Sequence, residues 1–109
     1  MTGYLKIVVF VPKTHTAIVR KALGDAGAGR IGSYSHCSYS IDGKGRYIPL
    51  EGANPTIGGV GNYEEVLEER IECICERKLA RKVVEEVRKV HPYEEVAFDI
   101  YPLIDESEL

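Results

Sequence analysis

The sequence predicts an α+β fold, the ferredoxin-like plait, in which two β-α-β units form one antiparallel sheet with both helices on one face. Two observations support this prediction. Residues 4–41 and 64–103 each contain an apolar strand, an amphipathic helix and a second strand of about the same length. The 109 residues, 44% hydrophobic and 28% charged, are typical of one soluble domain with its own core. We assign residues 1–104 to this domain and residues 105–109 to an acidic tail.

The first unit begins with "YLKIVVFVP", a β-branched run that is typical of a buried central strand and ends at Pro12. Thr14 is placed to cap the next helix, whose apolar residues recur at helical spacing up to Ala26. The glycines of "GDAGAGRIG" end that helix. "SYSHCSYSI" then alternates as a strand does, which places His36 on one face and Cys37 on the other.

An extra β-hairpin is predicted after this strand. "DGKG" at residues 42–45 is a turn signal, and "RYIPL" supplies the returning strand. A long glycine-rich connection, residues 51–61, follows the hairpin. Loops of this length are often functional, although this one ends in no P-loop motif.

The second unit repeats the pattern. "EEVLEERIECICE" alternates as a strand with one solvated face, and Leu79, Val83, Val87 and Val90 form one helical stripe. Pro92 ends this helix, and "EVAFDIYPL" returns as the last strand. The helices cover only one face of the sheet, so we expect a symmetric oligomer to cover the other.

The segment His91-Pro-Tyr-Glu-Glu95 has two interpretations. In the functional one, His91 with Glu94 or Glu95 offers a nitrogen and carboxylate oxygens to a divalent metal ion. In the structural one, Pro92 stops the helix and His91 caps its last carbonyl groups. Spacing alone favours the structural interpretation.

Composition limits the classes of partner. The net charge of −3 and the lack of a basic run argue against nucleic acid. No apolar run is long enough to span a membrane, so we expect no membrane partner. Three cysteines without an export signal favour reduced thiols in the cytoplasm. Cys73 and Cys75 share the apolar strand face and are expected in the core, with a soft-metal pair as the alternative.

Several segments together resemble a known family: "VVFVP", "GAGRIGSYSHCSYS", "PLEGANPTIGGVG", "EERIE" and "HPYEEVAFDIYPL". In order and in register, they resemble the domain inserted in the middle of YqfO-type proteins, so the chain looks like a stand-alone form of that domain. The domain is similar to the PII and CutA proteins, which implies a homotrimer with clefts between its subunits. The histidine- and acid-rich flanks that build a two-metal centre in YqfO-type proteins are not in this sequence, so no hydrolase or cyclohydrolase activity is expected.

The resemblance implies a regulatory or binding module rather than an enzyme, with an intersubunit cleft for a divalent metal ion or a small anionic ligand. The matched motifs imply metal ligands at His36, Cys37, His91 and Glu94, and ligand-binding residues at Asn54 and Tyr93. Two alternatives stay open. One is a small enzyme that uses His91 as general base, and the other is a structural oligomerisation domain that docks onto a partner.

Overall fold

The computed structural model describes residues 3–109 and contains two β-α-β units. The first comprises β1 (Tyr4–Pro12), α1 (Thr16–Asp25) and β2 (Tyr39–Tyr47). The second comprises β3 (Glu64–Glu76), α2 (Arg77–Val90) and β4 (Phe98–Pro102). The four strands form one antiparallel sheet in the order β2-β3-β1-β4, which confirms the ferredoxin-like plait. The first two residues of the predicted domain lie outside the described part.

One core joins the two units, and it lies between the sheet and both helices. Alternate residues of β1 meet their register partners on β3, such as Ile7 opposite Cys73 and Val9 opposite Ile71. The helices close this layer with fully buried valines: Val19 from α1, and Val83 and Val87 from α2. Burial of these apolar surfaces is the main stabilising term, and it fixes which face of each strand carries polar groups.

The ends of the helices follow the sequence prediction in part. Past α1, Gly27 and Gly29 take positive φ angles of 112° and 78°, a backbone conformation that glycine adopts without a steric penalty. Helix α2 ends before His91, whose N–H donates to the carbonyl of Val87. The predicted cap at Thr14 is wrong: a 3-10 turn, Lys13–His15, precedes α1, and the Thr14 hydroxyl contacts His15 instead.

The predicted extra hairpin is also wrong. Strand β2 runs straight through "DGKG", and each of its residues from Tyr39 to Tyr47 has a partner on β3. Gly45 serves another purpose, because a Cβ atom there would lie 2.1 Å from Oε1 of Glu68. Glycine within a strand often marks such a close approach of a neighbouring side chain.

The strand predicted around His36 and Cys37 starts later, at Tyr39. His36 has a φ of 58°, a left-handed conformation that no strand residue adopts. The alternation of "SYSHCSYSI" is therefore only partly a strand signal.

The face of the sheet opposite the helices, here called the open face, is partly covered by side chains of its own. It carries Lys6, Val8, Phe10, Tyr39, Ile41, Glu68, Arg70, Glu72 and Tyr101. Arg70 pairs with Glu72 at 2.9 Å and lies 5.6 Å from the centre of the Phe10 ring. Val8, at the middle of this face, is fully buried. No helix among residues 3–109 is long and apolar enough to cross a membrane.

Two glycine variants test the path of β2. Gly43→Ala places its Cβ in open space, so we expect the free energy of unfolding to rise by about 0.5 kcal/mol as chain entropy falls. Gly45→Ala displaces the Glu68 carboxylate and is expected to lower it by about 1–3 kcal/mol. Urea denaturation of both variants checks this, and a loss of stability in Gly43→Ala would favour the hairpin turn.

Candidate functional site

A cavity of about 580 Å³ lies between the open face of the sheet and two connecting segments. These segments are residues 91–95, here called the HPYEE segment, and residues 48–63, here called the glycine-rich loop. The floor is formed by residues of the three strands β1, β2 and β3: Phe10, Gly45, Tyr47 and Glu68. The volume is within the range of small-molecule sites, and most of the lining is apolar.

His91 holds the HPYEE segment against β1. Its Nε2 lies 2.8 Å from the carbonyl oxygen of Phe10, and the backbone N–H of Tyr93 donates to Nδ1 at 3.1 Å. A carbonyl oxygen only accepts and an N–H only donates, so the ring is the neutral tautomer with its proton on Nε2. Burial lowers the pKa of His91 below its ordinary value of 6.5, although the bond to Phe10 opposes this.

Both nitrogens of His91 are thus engaged, with consequences for the two roles considered for it. A metal ion or a substrate proton would have to displace the Tyr93 N–H from Nδ1. Helix α2 does end before Pro92, as the structural interpretation expected, but the His91 ring binds the Phe10 carbonyl of β1, and only the backbone N–H of His91 donates to a carbonyl of α2.

Tyr93 joins the HPYEE segment to the sheet through Glu68. Its hydroxyl donates to Oε2 of Glu68 at 2.8 Å, and Glu68 is only 8% exposed. Burial, followed by this carboxylate, raises the pKa of Tyr93 well above its ordinary value of 10, so the phenol stays protonated. The Tyr93 ring meets that of Tyr47 edge to face, with 6.2 Å between centroids. Together these groups form a continuous wall of the cavity.

The glycine-rich loop is bound to the HPYEE segment by two hydrogen bonds. The backbone N–H of Asn54 donates to Oε1 of Glu94 at 2.8 Å, and the Thr56 hydroxyl donates to the Pro92 carbonyl at 2.5 Å. The Tyr47 hydroxyl adds a bond of 2.8 Å to the carbonyl of Ile57. Four of the predicted site residues, Asn54, His91, Tyr93 and Glu94, therefore come together, and Asn54 takes part through its backbone.

His36 and Cys37 lie apart from this group, in the connection between α1 and β2. The Nε2 of His36 is 2.9 Å from Asp25, and its Nδ1 is 2.9 Å from the Ser35 hydroxyl. The Cys37 N–H donates to Gly29, whose own N–H donates to the carbonyl of Ile74. Ile74 is six residues along β3 from Glu68, about 20 Å at the ordinary strand rise. One chain does not unite His36 and Cys37 with His91.

The side chains of the described residues are not grouped as a metal site within one chain. Among residues 3–109, no three His, Cys, Asp or Glu side chains are grouped closely enough to hold a metal ion. Cys73 and Cys75 are in the core, as predicted, and burial raises the pKa of Cys73 to about 12. Among the described residues no third ligand side chain joins these two thiols, so the soft-metal alternative lacks support in this geometry.

The sequence analysis missed Glu68, Tyr47 and Phe10 as site residues. Glu68 alternates with Arg70 and Glu72 on a strand, which is also the pattern of an ordinary solvated face. Only the covering segments make it buried, and those segments are far from it in sequence.

Comparisons with known proteins place this chain within longer ones. A homologue of GTP cyclohydrolase 1 type 2 from Bacillus subtilis is 51% identical over 98 residues, covering 90% of this chain and 26% of that protein. The crystal structure of a Bacillus cereus protein related to NIF3 has a TM-score of 0.82 at 53% identity, covering 94% of this chain and 26% of that one. This chain thus spans about a quarter of the length of these relatives. No family model matches it.

More distant structures show the same fold. CutA from Archaeoglobus fulgidus has a TM-score of 0.69 at 16% identity, covering 94% of this chain and 85% of that one. GlnK from Bacillus subtilis, solved with ATP, has a TM-score of 0.63 at 12% identity, covering 94% and 84%. At such identities the likeness concerns the fold alone, and it confirms the predicted PII/CutA-like class.

The relatives correct one prediction. The chain was expected not to be an enzyme, yet its curated relatives bear the name of a GTP cyclohydrolase homologue at identities of 51% and 53%. The absence of the histidine- and acid-rich flanks was the wrong guide, because this chain matches only about a quarter of the length of those proteins. It corresponds to the PII/CutA-like domain of the YqfO-type, NIF3-related proteins.

Proposed function

We propose that this chain is the ligand-binding and assembly module of an enzyme of the cyclohydrolase-homologue class. The cavity beneath the HPYEE segment is the observation that carries the proposal. Its wall is held by hydrogen bonds from His91, Tyr93, Thr56 and Asn54, all of which join segments far apart in the sequence. A cavity that is fixed in this way before any ligand binds requires little ordering on binding.

The proposed assembly is a homotrimer formed through the open face. Three side chains on this face remain exposed in the single chain: Tyr39 at 67%, Ile41 at 49% and Tyr101 at 43%. Aromatic and aliphatic groups beside fixed ion pairs are typical of subunit interfaces. The edge strand β2 is also free to meet a sister chain, since it pairs with β3 alone among the described strands.

A divalent metal ion remains part of the proposal only as a ligand shared between subunits. His36 and Cys37 lie too far from His91 and Glu94 to bind one ion within a chain, so a second copy would have to bring the two groups together. The CutA relative in fold is called a divalent cation tolerance protein, and a symmetric assembly is the arrangement in which such separated ligands meet.

The first prediction concerns assembly. Sedimentation equilibrium at micromolar concentration should give a mass of about three chains of 12.1 kDa each. Ile41→Lys places a charge on the proposed interface and should shift the mass to that of one chain. Ile104→Lys, at a position 75% exposed just after β4, is the matched control and should leave the trimer intact. A wild-type monomer would contradict the proposed assembly.

The second prediction concerns the cavity. Thermal unfolding with GTP, ATP and a panel of divalent cations should reveal a stabilising ligand, which adds about 2.7 kcal/mol at 100 times its Kd. Ala53 lines the cavity, so Ala53→Trp should fill it and abolish the stabilisation. Ala17→Trp, at an exposed position of α1, should not. Equal stabilisation of both variants would mean that the ligand binds elsewhere.

The third prediction follows from the buried neutral His91. Because its folded-state pKa lies below 6.5, the folded chain binds fewer protons there than the unfolded chain does. The free energy of unfolding should therefore be highest above pH 6.5. It should fall as the pH drops from 6.5 to the folded-state pKa. His91→Gln should flatten the profile between pH 7.5 and pH 5.5, as measured by urea denaturation. His15→Gln is the control, and an unchanged slope in His91→Gln would refute the assignment.

A further inference from the structure

We propose that the cavity recognises an organic cation, an amidinium or ammonium group with N–H donors on an apolar body. This inference deepens the proposed function and depends on it. It starts from the wall of the cavity, where the hydroxyl donors and the Asn54 N–H described above are already engaged, and from the three carboxylates that line the same space.

Four hydrogen-bond donors of the wall already donate to protein acceptors and are therefore not free for a ligand. The hydroxyl of Tyr47 donates to Ile57, that of Tyr93 to Glu68, and that of Thr56 to Pro92. The N–H of Asn54 donates to Glu94. These oxygens keep lone pairs facing their surroundings, and so do the carboxylates. A ligand rich in acceptors would meet few free donors here, whereas a ligand rich in donors would be matched.

The lining of the cavity carries more negative than positive charge. Glu68, Glu94 and Glu95 line it, and none of them forms an ion pair among residues 3–109. Arg46 also lines it, but the Nε of its guanidinium is 2.8 Å from Glu65, which Lys44 approaches as well. Three carboxylates and one guanidinium leave the lining with a net negative charge, so the field in the cavity favours cations over anions.

Glu68 is the group placed to make the specific contact. Its Oε2 accepts from Tyr93, while Oε1 accepts no hydrogen bond from residues 3–109. No fully buried side-chain oxygen in that range lacks a partner, so Oε1 is still reached from the cavity. A carboxylate that is 8% exposed and has no cation beside it has lost most of its hydration. A cationic ligand restores the missing partner, and amidinium can do so with parallel N–H bonds.

The rest of the lining suits the body of such a ligand. The rings of Phe10, Tyr47 and Tyr93 border the same space as Glu68. Aromatic faces attract cations and also bury apolar groups. The volume of about 580 Å³ accommodates a molecule of one or two rings.

Benzamidine, which is positively charged at neutral pH, is the probe, and benzoate and benzyl alcohol are the matched anion and neutral control. Titration calorimetry on the full chain at low and at physiological salt should show binding of benzamidine and none of benzoate. Glu68→Gln keeps the shape and an acceptor for Tyr93 but removes the charge, and should weaken benzamidine about tenfold or more. Glu85→Gln, at an exposed position of α2, should bind benzamidine as the wild type does.

Three outcomes would overturn the inference. They are tighter binding of benzoate than of benzamidine, an affinity that Glu68→Gln leaves unchanged, and no benzamidine binding by a folded chain. If GTP, ATP or a metal ion still stabilises the wild type and fails with Ala53→Trp, the proposed cavity function stands while the cation inference falls. If no ligand responds to Ala53→Trp, both fall. Thermal unfolding of Glu68→Gln confirms that the variant is folded.

Discussion

The hydrogen bond from Tyr93 to the buried carboxylate of Glu68 is the constraint on which the candidate site depends. It joins the segment after α2 to the middle of β3, across the face of the sheet that has no helices. His91 makes a parallel attachment from the same segment to the backbone of β1. These two hydrogen bonds fix the HPYEE segment against the sheet, where it forms one wall of the cavity. The glycine-rich loop then has fixed carbonyl and carboxylate groups to bind.

This constraint also explains one of the two glycines of β2, Gly45. The Glu68 side chain lies over Gly45 so closely that any Cβ atom would overlap its carboxylate. A strand with glycine there is weakened in itself, because glycine loses much chain entropy and packs no side chain. The weakness is offset by the full register with β3, which continues through both glycines. Gly45, which looks like part of a turn in the sequence, therefore lines the candidate site.

Much of the fold is predictable from sequence because its signals are local. The β-branched run of β1, the stripe on α2 and the glycines after α1 each follow from spacing within a dozen residues. The errors have non-local causes. His36 leaves the strand pattern because its ring packs against Gly24, where a Cβ would lie 2.0 Å from it, and binds Asp25. Nothing near His36 in the sequence specifies that contact.

The candidate site shows the same division. The polar cluster of the HPYEE segment is recognisable in the sequence, and four of the six predicted site residues do lie together. Its chemistry is not recognisable there, because the protonation state of His91 depends on a carbonyl of β1 and on burial. The role of Glu68 likewise depends on a tyrosine that is 25 positions away. Local patterns identify which residues are polar, whereas tertiary contacts determine which lone pairs remain free.

The free lone pairs depend on the connecting segments, and for this reason a shared fold does not imply a shared ligand. The plait provides a sheet with one helix-free face, and it is common to this chain, CutA and GlnK at identities of 12–16%. What a molecule meets on that face is determined by the segments laid across it. In this chain those segments engage their own donors and present carboxylates and aromatic rings. An anion such as a phosphate would meet three carboxylates here and one guanidinium, that of Arg46, whose Nε already binds Glu65. The charge of the ligand is therefore set by the loops of this particular chain, and the plait sets only where the ligand lies.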